Sequence, residues 1–236
     1  MAIKNVLFDL DGTLLPIDQD DFTKSYFKYL SIKAEPFGFK PEVLIKAVWA
    51  GTAAMVKNDG KCTNEQVFWN AFASIFGEEV LKYKPIFDEF YSNEFQNAKE
   101  ACGFAPQARE TVDMLKAKGV RTVLATNPIF PAVATESRIR WAGLEPSDFE
   151  LYTTYESCHF CKPNPKYYLE IAEKLGMEPS ECLMGGNDVK EDMVAKTVGM
   201  SVFLLTDCLI NKDNEDISRF PHGGFCELKK FLNNLL

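Results

Sequence analysis

The 236-residue sequence contains no apolar run long enough to cross a bilayer and no excess of basic residues. It has 26 lysines and arginines against 34 aspartates and glutamates, which gives a formal net charge of −8. A surface of that charge is poorly suited to the phosphates of nucleic acids or to an anionic membrane surface. We therefore expect no nucleic acid and no membrane among the partners of this chain.

The N-terminal stretch lacks the layout of a secretion signal, because Asp9, Asp11 and Gly12 interrupt its apolar residues. The sequence also lacks the disulfide framework of a small secreted protein, since its seven cysteines are odd in number and scattered. Both observations predict a cytoplasmic protein.

One cysteine pair, Cys158 and Cys161, has the C-x-x-C spacing of zinc and redox sites. No second pair accompanies it in the sequence, so a closed zinc site would need His159 or distant partners. The favoured interpretation is two reduced thiols in a loop, with zinc or redox chemistry as the open alternative.

Strand and helix patterns alternate over most of the chain. The predicted strands cover residues 3–8, 120–125, 149–153, 181–184 and 201–205. The predicted helices around them cover residues 106–118, 132–141, 165–175, 188–198 and 227–236. Because strands that alternate with helices form parallel sheets, the pattern predicts an α/β fold with a doubly wound, Rossmann-like core.

The segment from about residue 20 to residue 97 has a helical pattern throughout, and its prolines and glycines divide it into about four helices. Thr63 and Gln66 predict a capping box at the start of an aromatic-rich helix. Two of the predicted helices have an apolar face, made of Phe68, Phe72, Ile75 and Phe76 in one and of Leu44, Ala47 and Val48 in the other. We predict a helical domain at residues 17–100, inserted into a discontinuous core of residues 1–16 and 101–236.

Two carboxylates, Asp9 and Asp11, follow the first predicted strand at its carboxyl end, where open α/β sheets bind their ligands. Side chains two apart on an extended segment point to the same side, so these acids would repel each other without a cation or a shared proton. Gly12 permits an unusual backbone angle and a close approach of a ligand. An Asp-Gly turn without chemistry is the alternative interpretation.

Two further polar groups follow later in the chain. Thr126 and Asn127 end the second predicted strand, where a hydroxyl and an amide can donate hydrogen bonds to an anion. A simple cap or turn before Pro128 is the alternative. Lys162 lies in a loop stiffened by prolines, which limits the freedom of its ammonium group, although an ordinary solvated lysine is the alternative.

Asp188 and Asp192 follow a strand that ends in two glycines. The pattern predicts that both acids lie on one face of a helix, close to its N-terminus. Capping of the helix is an equally good interpretation for Asp188 alone. Asp192 lies one turn further on and is harder to explain as a cap.

In this order, the four groups resemble the four motifs of the haloacid dehalogenase (HAD) superfamily, and the helical insertion is similar to the cap of its phosphoglycolate phosphatase-like branch. The matching segments are Asp9-Leu10-Asp11-Gly12-Thr13, Thr126, Lys162-Pro163, and Asp188 with Asp192. One position departs from the pattern, because Asn187 stands where many members have glycine. Taking Asn187 as the metal position would lose the four-residue spacing to a second acid, so we favour Asp188.

The resemblance implies that Asp9 attacks phosphorus and forms an aspartyl-phosphate. It implies that Asp11 protonates the leaving alcohol and then accepts a proton from water. The cofactor that the resemblance implies is Mg²⁺, held by a carboxylate oxygen of Asp9, the backbone carbonyl of Asp11 and the side chain of Asp188.

The remaining residues have supporting roles in the superfamily pattern. Thr126, Asn127 and Lys162 would bind the phosphoryl oxygens, and Lys162 would also offset the charge of Asp9. Asp192 would orient Lys162 or a metal-bound water.

The resemblance therefore implies a magnesium-dependent phosphatase that acts on a small phosphorylated metabolite. Dehalogenases of the superfamily replace the acid/base aspartate, whereas Asp11 is present here. A phosphomutase has the same residues and is the nearest alternative, and a non-catalytic protein that binds a phosphorylated ligand is a further one. Phosphoglycolate-like compounds and sugar phosphates are the first substrates to try, and the sequence predicts no oligomeric state.

Overall fold

The computed structural model describes residues 3–236, and a parallel sheet forms the core of this part of the chain. The strands lie in the order β2-β1-β3-β4-β5 and cover Asn5–Phe8 (β1), Arg121–Leu124 (β2), Cys182–Gly186 (β3), Ser201–Leu205 (β4) and His222–Gly223 (β5). Neighbouring strands are parallel throughout. The predicted α/β fold is confirmed, and residues 1 and 2 of the predicted core lie outside the described residues.

The α-helices cover Gln19–Ala34 (α1), Pro41–Val56 (α2), Asn64–Phe76 (α3), Lys84–Ser92 (α4), Pro106–Ala117 (α5), Ala132–Trp141 (α6), Pro165–Leu175 (α7) and Phe225–Leu235 (α8). Short 3₁₀ helices cover Glu35–Phe37, Glu78–Tyr83, Glu94–Ala101, Pro146–Asp148, Pro179–Glu181, Met193–Val198 and Ile217–Arg219. Helices α1 to α4 lie between β1 and β2 along the chain. None of the described helices has the length and apolar character needed to span a membrane.

Strand β1 lies between β2 and β3, and all four of its residues are buried. Val6 and Phe8 pack in one apolar cluster, whereas Leu7 packs in a second cluster on the other face of the sheet. Because both faces are covered, the last three residues of the strand are all apolar instead of alternating with polar ones. The polar residues that follow β1 lie at the carboxyl end of this strand, along the edge of the sheet that the carboxyl ends of the parallel strands form.

Two of the predicted elements differ in the structure. The predicted strand at 149–153 is reduced, in the described chain, to one bridge between Leu124 and Tyr152. The predicted helix at 188–198 is wrong over its first half, since turns precede a 3₁₀ helix at Met193–Val198. Strand β5 was not predicted, because a two-residue strand is too short to produce an apolar pattern.

The capping box predicted for α3 is confirmed. The Gln66 backbone N–H donates to the Thr63 hydroxyl over 3.3 Å, and the Thr63 backbone N–H donates to the Gln66 side chain over 3.1 Å. The apolar face predicted for α3 is wrong at Ile75, which is exposed. The face that α3 buries includes Asn64, Trp69, Phe72 and Ala73, while the face predicted for α2, with Leu44, Ala47 and Val48, is confirmed.

The start of α3 contacts the loop that precedes α7. The backbone N–H groups of Asn64 and Glu65 donate to the carbonyls of Cys158 and Tyr155, each over 2.8 Å. The buried Asn64 side chain also donates to Cys161 Sγ over 3.3 Å. These contacts fix the helical segment to the loop in which Lys162 lies.

Asp148 connects α5 to the chain that follows α6. Its carboxylate is buried and accepts hydrogen bonds from Arg109, from Lys116 Nζ over 2.7 Å and from the Glu145 backbone N–H over 2.8 Å. Burial alone would raise the pKa of Asp148, but the hydrogen bonds from Arg109 and Lys116 outweigh it and hold the pKa well below its usual value. The ionised carboxylate therefore stabilises the fold.

We expect Asp148→Asn to lower the free energy of unfolding at pH 7 by about 1–3 kcal/mol, because charged hydrogen bonds are lost from a buried group. The pKa of Asp148 is lowered in the folded state, so its contribution is present above the unfolded pKa of about 3.9 and is lost as pH falls below it. Urea unfolding at pH 7 and at values below 4 measures the difference between variant and wild type.

Asp113→Asn is the matched control, since Asp113 is an exposed carboxylate that pairs with the same Arg109. We expect it to change the free energy of unfolding by less than about 0.5 kcal/mol. The account would be contradicted if the two variants lost equal free energies of unfolding, or if the loss in Asp148→Asn did not depend on pH.

Candidate active site

The predicted site residues leave neighbouring strands at one edge of the sheet. The Asp9 backbone N–H donates to the Gly185 carbonyl of β3 over 2.9 Å, and the Ala125 backbone N–H donates to the Phe8 carbonyl over 2.7 Å. These bonds align the carboxyl ends of β1, β2 and β3, so the residues that follow them meet at a common edge.

The ammonium group of Lys162 lies between two carboxylates. Nζ donates to Asp9 Oδ1 over 2.8 Å and to Asp192 Oδ1 over 2.6 Å, and the Lys162 side chain is 1% exposed. Burial alone would lower the pKa of Lys162, but the attraction of Asp192 and Asp9 raises it well above its usual value. The lysine is therefore a fixed positive charge beside Asp9.

A second buried cation faces Asp11. The Arg138 guanidinium, on α6, donates to Asp11 Oδ2, and it lies 4.4 Å from the centre of the Phe130 ring. Asp11 Oδ1 is buried and has no hydrogen-bond partner among the described residues. Burial raises the pKa of the Asp11 carboxyl, although Arg138 opposes this effect.

Arg138 was not predicted as a site residue. A signal was present, because Arg138 lies one helical turn from Ala134 and from Ala142, both of which are buried. A charged residue in line with apolar ones on a helix faces the interior, where it needs a partner of opposite charge.

Thr126 and Asn127 lie beside the same edge. Thr126 is buried, and its backbone carbonyl accepts hydrogen bonds from the Thr153 hydroxyl over 2.6 Å and from the Tyr167 hydroxyl over 2.8 Å. The Asn127 amide nitrogen donates to Glu191 Oε2 over 3.0 Å. Glu191 was not predicted, and burial together with nearby carboxylates raises its pKa to about 7.

Asn187 packs against the backbone of Gly12. Its Oδ1 accepts from the Thr13 hydroxyl over 3.0 Å, and its Nδ2 donates to the Cys208 carbonyl over 2.6 Å. Gly12 has φ +85°, and a Cβ at this position would lie 2.2 Å from Asn187 Nδ2. Only glycine fits this turn. Any other residue would be strained at this positive φ, and its Cβ would clash with the Asn187 amide.

Asp188 does not lie in a helix, contrary to the prediction. Its Oδ1 accepts from the backbone N–H groups of Lys190 over 2.8 Å and Glu191 over 2.9 Å, as the side chain of a helix cap does, but turns follow it before the 3₁₀ helix begins at Met193. Its own backbone N–H donates to Asp192 Oδ2 over 2.9 Å. The Asp192 backbone N–H also donates to the Asp188 carbonyl over 3.0 Å, so two hydrogen bonds connect these residues.

The donor atoms at this edge suit a hard cation. The described residues contain no group of three histidine, cysteine, aspartate or glutamate side chains arranged to hold a metal ion. Mg²⁺ needs no such group, because it commonly takes one or two carboxylates and completes its octahedron with water and substrate phosphate. The Asp9 and Asp188 carboxylates, together with backbone oxygens, fit that requirement.

The cysteine pair is buried and separate from these carboxylates. Burial raises the pKa of Cys158 to about 11 and also raises the pKa of Cys161. Thiols that are held neutral in this way are poor nucleophiles. This environment supports the interpretation of the pair as reduced thiols.

A cavity of about 370 Å³ opens from the edge of the sheet. Asp9, Asp11, Thr126 and other residues of the core line one part of it, and side chains of the helical segment line another part. The volume lies within the range of about 300–1,000 Å³ that small-molecule sites occupy. The arrangement can bind a small anionic group beside Asp9 and hold the rest of a molecule under the helices.

Comparison with known proteins gives consistent similarities. The haloacid dehalogenase-like hydrolase family matches residues 3–197. The phosphoglycolate phosphatase of Shigella sonnei is 29% identical over 212 residues, which cover 84% of this chain and 79% of that protein.

Two solved structures have the same fold. The HAD phosphatase from Thermococcus onnurineus matches with a TM-score of 0.59 at 22% identity, and the match covers 98% of each chain. The 2-haloacid dehalogenase from Pseudomonas syringae pv. Tomato DC3000 matches with a TM-score of 0.63 at 20% identity, over 99% of this chain and 100% of that one.

We expect Lys162→Met to lower the free energy of unfolding by about 3–5 kcal/mol, because it leaves the Asp9 and Asp192 carboxylates buried without their cation. Urea unfolding in the presence of a chelator measures the loss, since no divalent ion can then replace the ammonium group. The double variant Lys162→Met/Asp192→Asn should recover part of the loss, because one buried charge is removed. A single variant as stable as the wild type would refute this electrostatic account.

Proposed function

Because this chain belongs to the haloacid dehalogenase-like hydrolase family, we propose that it is a phosphatase that hydrolyses a small phosphorylated metabolite through an aspartyl-phosphate on Asp9. The observation that carries the proposal is the charged Lys162 ammonium group, buried between Asp9 and Asp192 at the edge of the sheet. Asp11 lies two residues from Asp9 and lines the same cavity. The phosphatase name of the relative agrees with this choice of reaction.

In the first step, an Asp9 oxygen attacks phosphorus and forms a phosphorus–oxygen bond while the bond to the leaving alcohol breaks. Lys162 holds Asp9 Oδ1, and the Thr13 hydroxyl lies 3.3 Å from Oδ2, so the carboxylate is oriented before substrate arrives. A nucleophile that is already in place avoids the entropic cost of orienting it during the reaction.

Asp11 supplies the proton for the departing alcohol oxygen. In the second step it takes a proton from the water that attacks the aspartyl-phosphate, which releases inorganic phosphate and restores Asp9. The raised pKa of its carboxyl favours the protonated form that the first step needs. Arg138 fixes the position of Asp11 through the contact with Oδ2.

The phosphoryl oxygens need positive charge and hydrogen-bond donors around them. We assign this role to Lys162 and Thr126, and to the Asn127 amide once it leaves Glu191. Magnesium, when bound by Asp9, Asp188 and the Asp11 carbonyl, supplies further positive charge to the phosphoryl group. Asp192 positions Lys162 through the bond of 2.6 Å, and Gly12 lets the loop pass close to Asn187.

We also propose that residues 17–100 act as a cap domain over the core made of residues 1–16 and 101–236. The cavity supports this division, because core carboxylates line one part and helices of the insertion line the other. A cytoplasmic location is proposed as well. All seven cysteines lie among the described residues and are free thiols, as expected in a reducing compartment.

We expect Asp9→Asn to lower kcat for a generic aryl phosphate by about 10⁴-fold or more, as removal of a nucleophile does in other enzymes. Release of inorganic phosphate is measured with and without Mg²⁺, and circular dichroism checks that the fold is unchanged. Asp113→Asn, an exposed substitution on α5, is the control and should retain full activity. Undiminished turnover by Asp9→Asn would remove Asp9 from its role.

Incubation with hexose phosphates separates the phosphatase from the phosphomutase that the same residues allow. A mutase would interconvert the isomers, whereas the proposed hydrolase releases inorganic phosphate from them. Interconversion without release would favour the mutase.

We expect Asp188→Ala to raise the Mg²⁺ concentration for half-maximal activity by about 10–100-fold, because a metal-binding carboxylate is lost. A titration of phosphate release with Mg²⁺ measures this shift, and protection against thermal unfolding by Mg²⁺ gives a second readout. Asp213→Ala removes an exposed carboxylate from the neighbouring loop and should leave both readouts unchanged. If Asn187→Ala raised the Mg²⁺ concentration for half-maximal activity more than Asp188→Ala does, the metal position would be assigned to Asn187.

A further inference from the structure

The part of the cavity formed by the helical segment is lined mainly by aromatic side chains. Phe22, Phe27, Trp49, Phe68 and Phe72 line it, and Phe130 lies where the helical part meets the core. In the proposed reaction, the phosphoryl group binds beside Asp9 and the alcohol part of the substrate extends into this region. The aromatic wall therefore contacts the part of the substrate that distinguishes one phosphate ester from another.

Some of the polar groups of this wall are hydrogen-bonded within the protein, while Gln19 and Thr23, near the start of α1, also line the cavity. The hydroxyl groups of Tyr26 and Tyr91 are hydrogen-bonded to each other over 3.0 Å, and the Thr52 hydroxyl donates to the Val48 carbonyl over 3.0 Å. The Trp69 indole N–H is buried without a partner among the described residues, so it is available to a single acceptor. A sugar would bring several hydroxyl groups to a wall that is mainly aromatic and has few polar side chains to pair with them.

A substrate carboxylate would also lack a suitable cation here. No lysine or arginine of α1 to α4 lines the described part of the cavity. Lys212 does line it, but this exposed residue follows Ile210, which pairs with Asp188 at the core end. The two buried cations, Lys162 and Arg138, are already paired with Asp9 and Asp11.

From this lining we propose that the preferred substrates are phosphate monoesters of apolar, uncharged alcohols. This inference rests on the proposed phosphatase function. An apolar alkyl or aryl group gains free energy by leaving water for an aromatic wall, whereas a carboxylate or a polyol loses hydrogen bonds with water that the wall does not replace. The preference excludes phosphoglycolate and hexose phosphates as the best substrates.

The test compares kcat/KM for ethyl, butyl and hexyl phosphate with values for 2-phosphoglycolate and glucose 6-phosphate, all in the presence of Mg²⁺. The alkyl alcohols are nearly equal as leaving groups, so differences among them report on the cavity. We expect kcat/KM to rise by about fourfold for each added methylene until the cavity is filled. Phosphoglycolate and glucose 6-phosphate should fall at least tenfold below hexyl phosphate.

A kcat/KM for phosphoglycolate or glucose 6-phosphate above that for hexyl phosphate would overturn the substrate class and leave the phosphatase function intact. An absence of phosphate release from every ester, including a generic aryl phosphate, would overturn both. A flat alkyl series would also refute the inference, because it would show that the wall does not contact the alcohol.

Variants test the wall directly. We expect Phe27→Ala to lower the ratio of kcat/KM for hexyl to ethyl phosphate by about fivefold or more. Phe37→Ala is the matched control, because Phe37 is an exposed aromatic residue of the same segment that does not line the cavity. If Phe27→Ala does not fold, Trp49→Ala replaces it, since Trp49 is half exposed and packs 5.5 Å from Phe27. An unchanged ratio in a folded wall variant would contradict the proposal.

Discussion

The buried ammonium group of Lys162 joins three parts of the chain that are distant in sequence. It pairs with Asp9 after β1 and with Asp192 in the turns after β3, and all three side chains are almost fully buried. A buried charge is costly unless it is paired, so loss of the ammonium group would strongly destabilise the packing of these segments. The interaction that orients the proposed nucleophile therefore also stabilises the fold.

Asp9 and Asp11 lie close together after β1, but each carboxylate pairs with a different cation. Asp9 contacts Lys162 and Thr13, whereas Asp11 contacts Arg138 through one oxygen and leaves the other unpartnered among the described residues. Acids that share a site can take different roles when their surroundings favour different protonation states. For Asp11, burial raises the pKa against the attraction of Arg138, which gives a physical reason for its proposed role as the acid.

Much of the fold could be predicted, because β1 and β4 are buried on both faces and leave continuous apolar runs in the sequence. The residues near the edge could be predicted from their position after such strands, but their contacts could not. Arg138 meets Asp11 across 127 residues of chain, and no local pattern determines that distance. The helix expected at Asp188 is replaced by turns that lead into a 3₁₀ helix, although the Asp188 carboxylate accepts backbone hydrogen bonds as a helix cap does.

The two parts of the cavity place different demands on the sequence. The sheet edge needs charged residues in fixed pairs, and almost any substitution there leaves a buried charge alone. The helical wall needs only apolar bulk, so it can change its shape while the ion pairs stay intact. The parts are nevertheless connected, because Asn64 at the start of α3 donates to the Cys158–Cys161 loop beside Lys162. The bonds that hold the start of α3 against the core are therefore made to the same loop that carries the buried ammonium group.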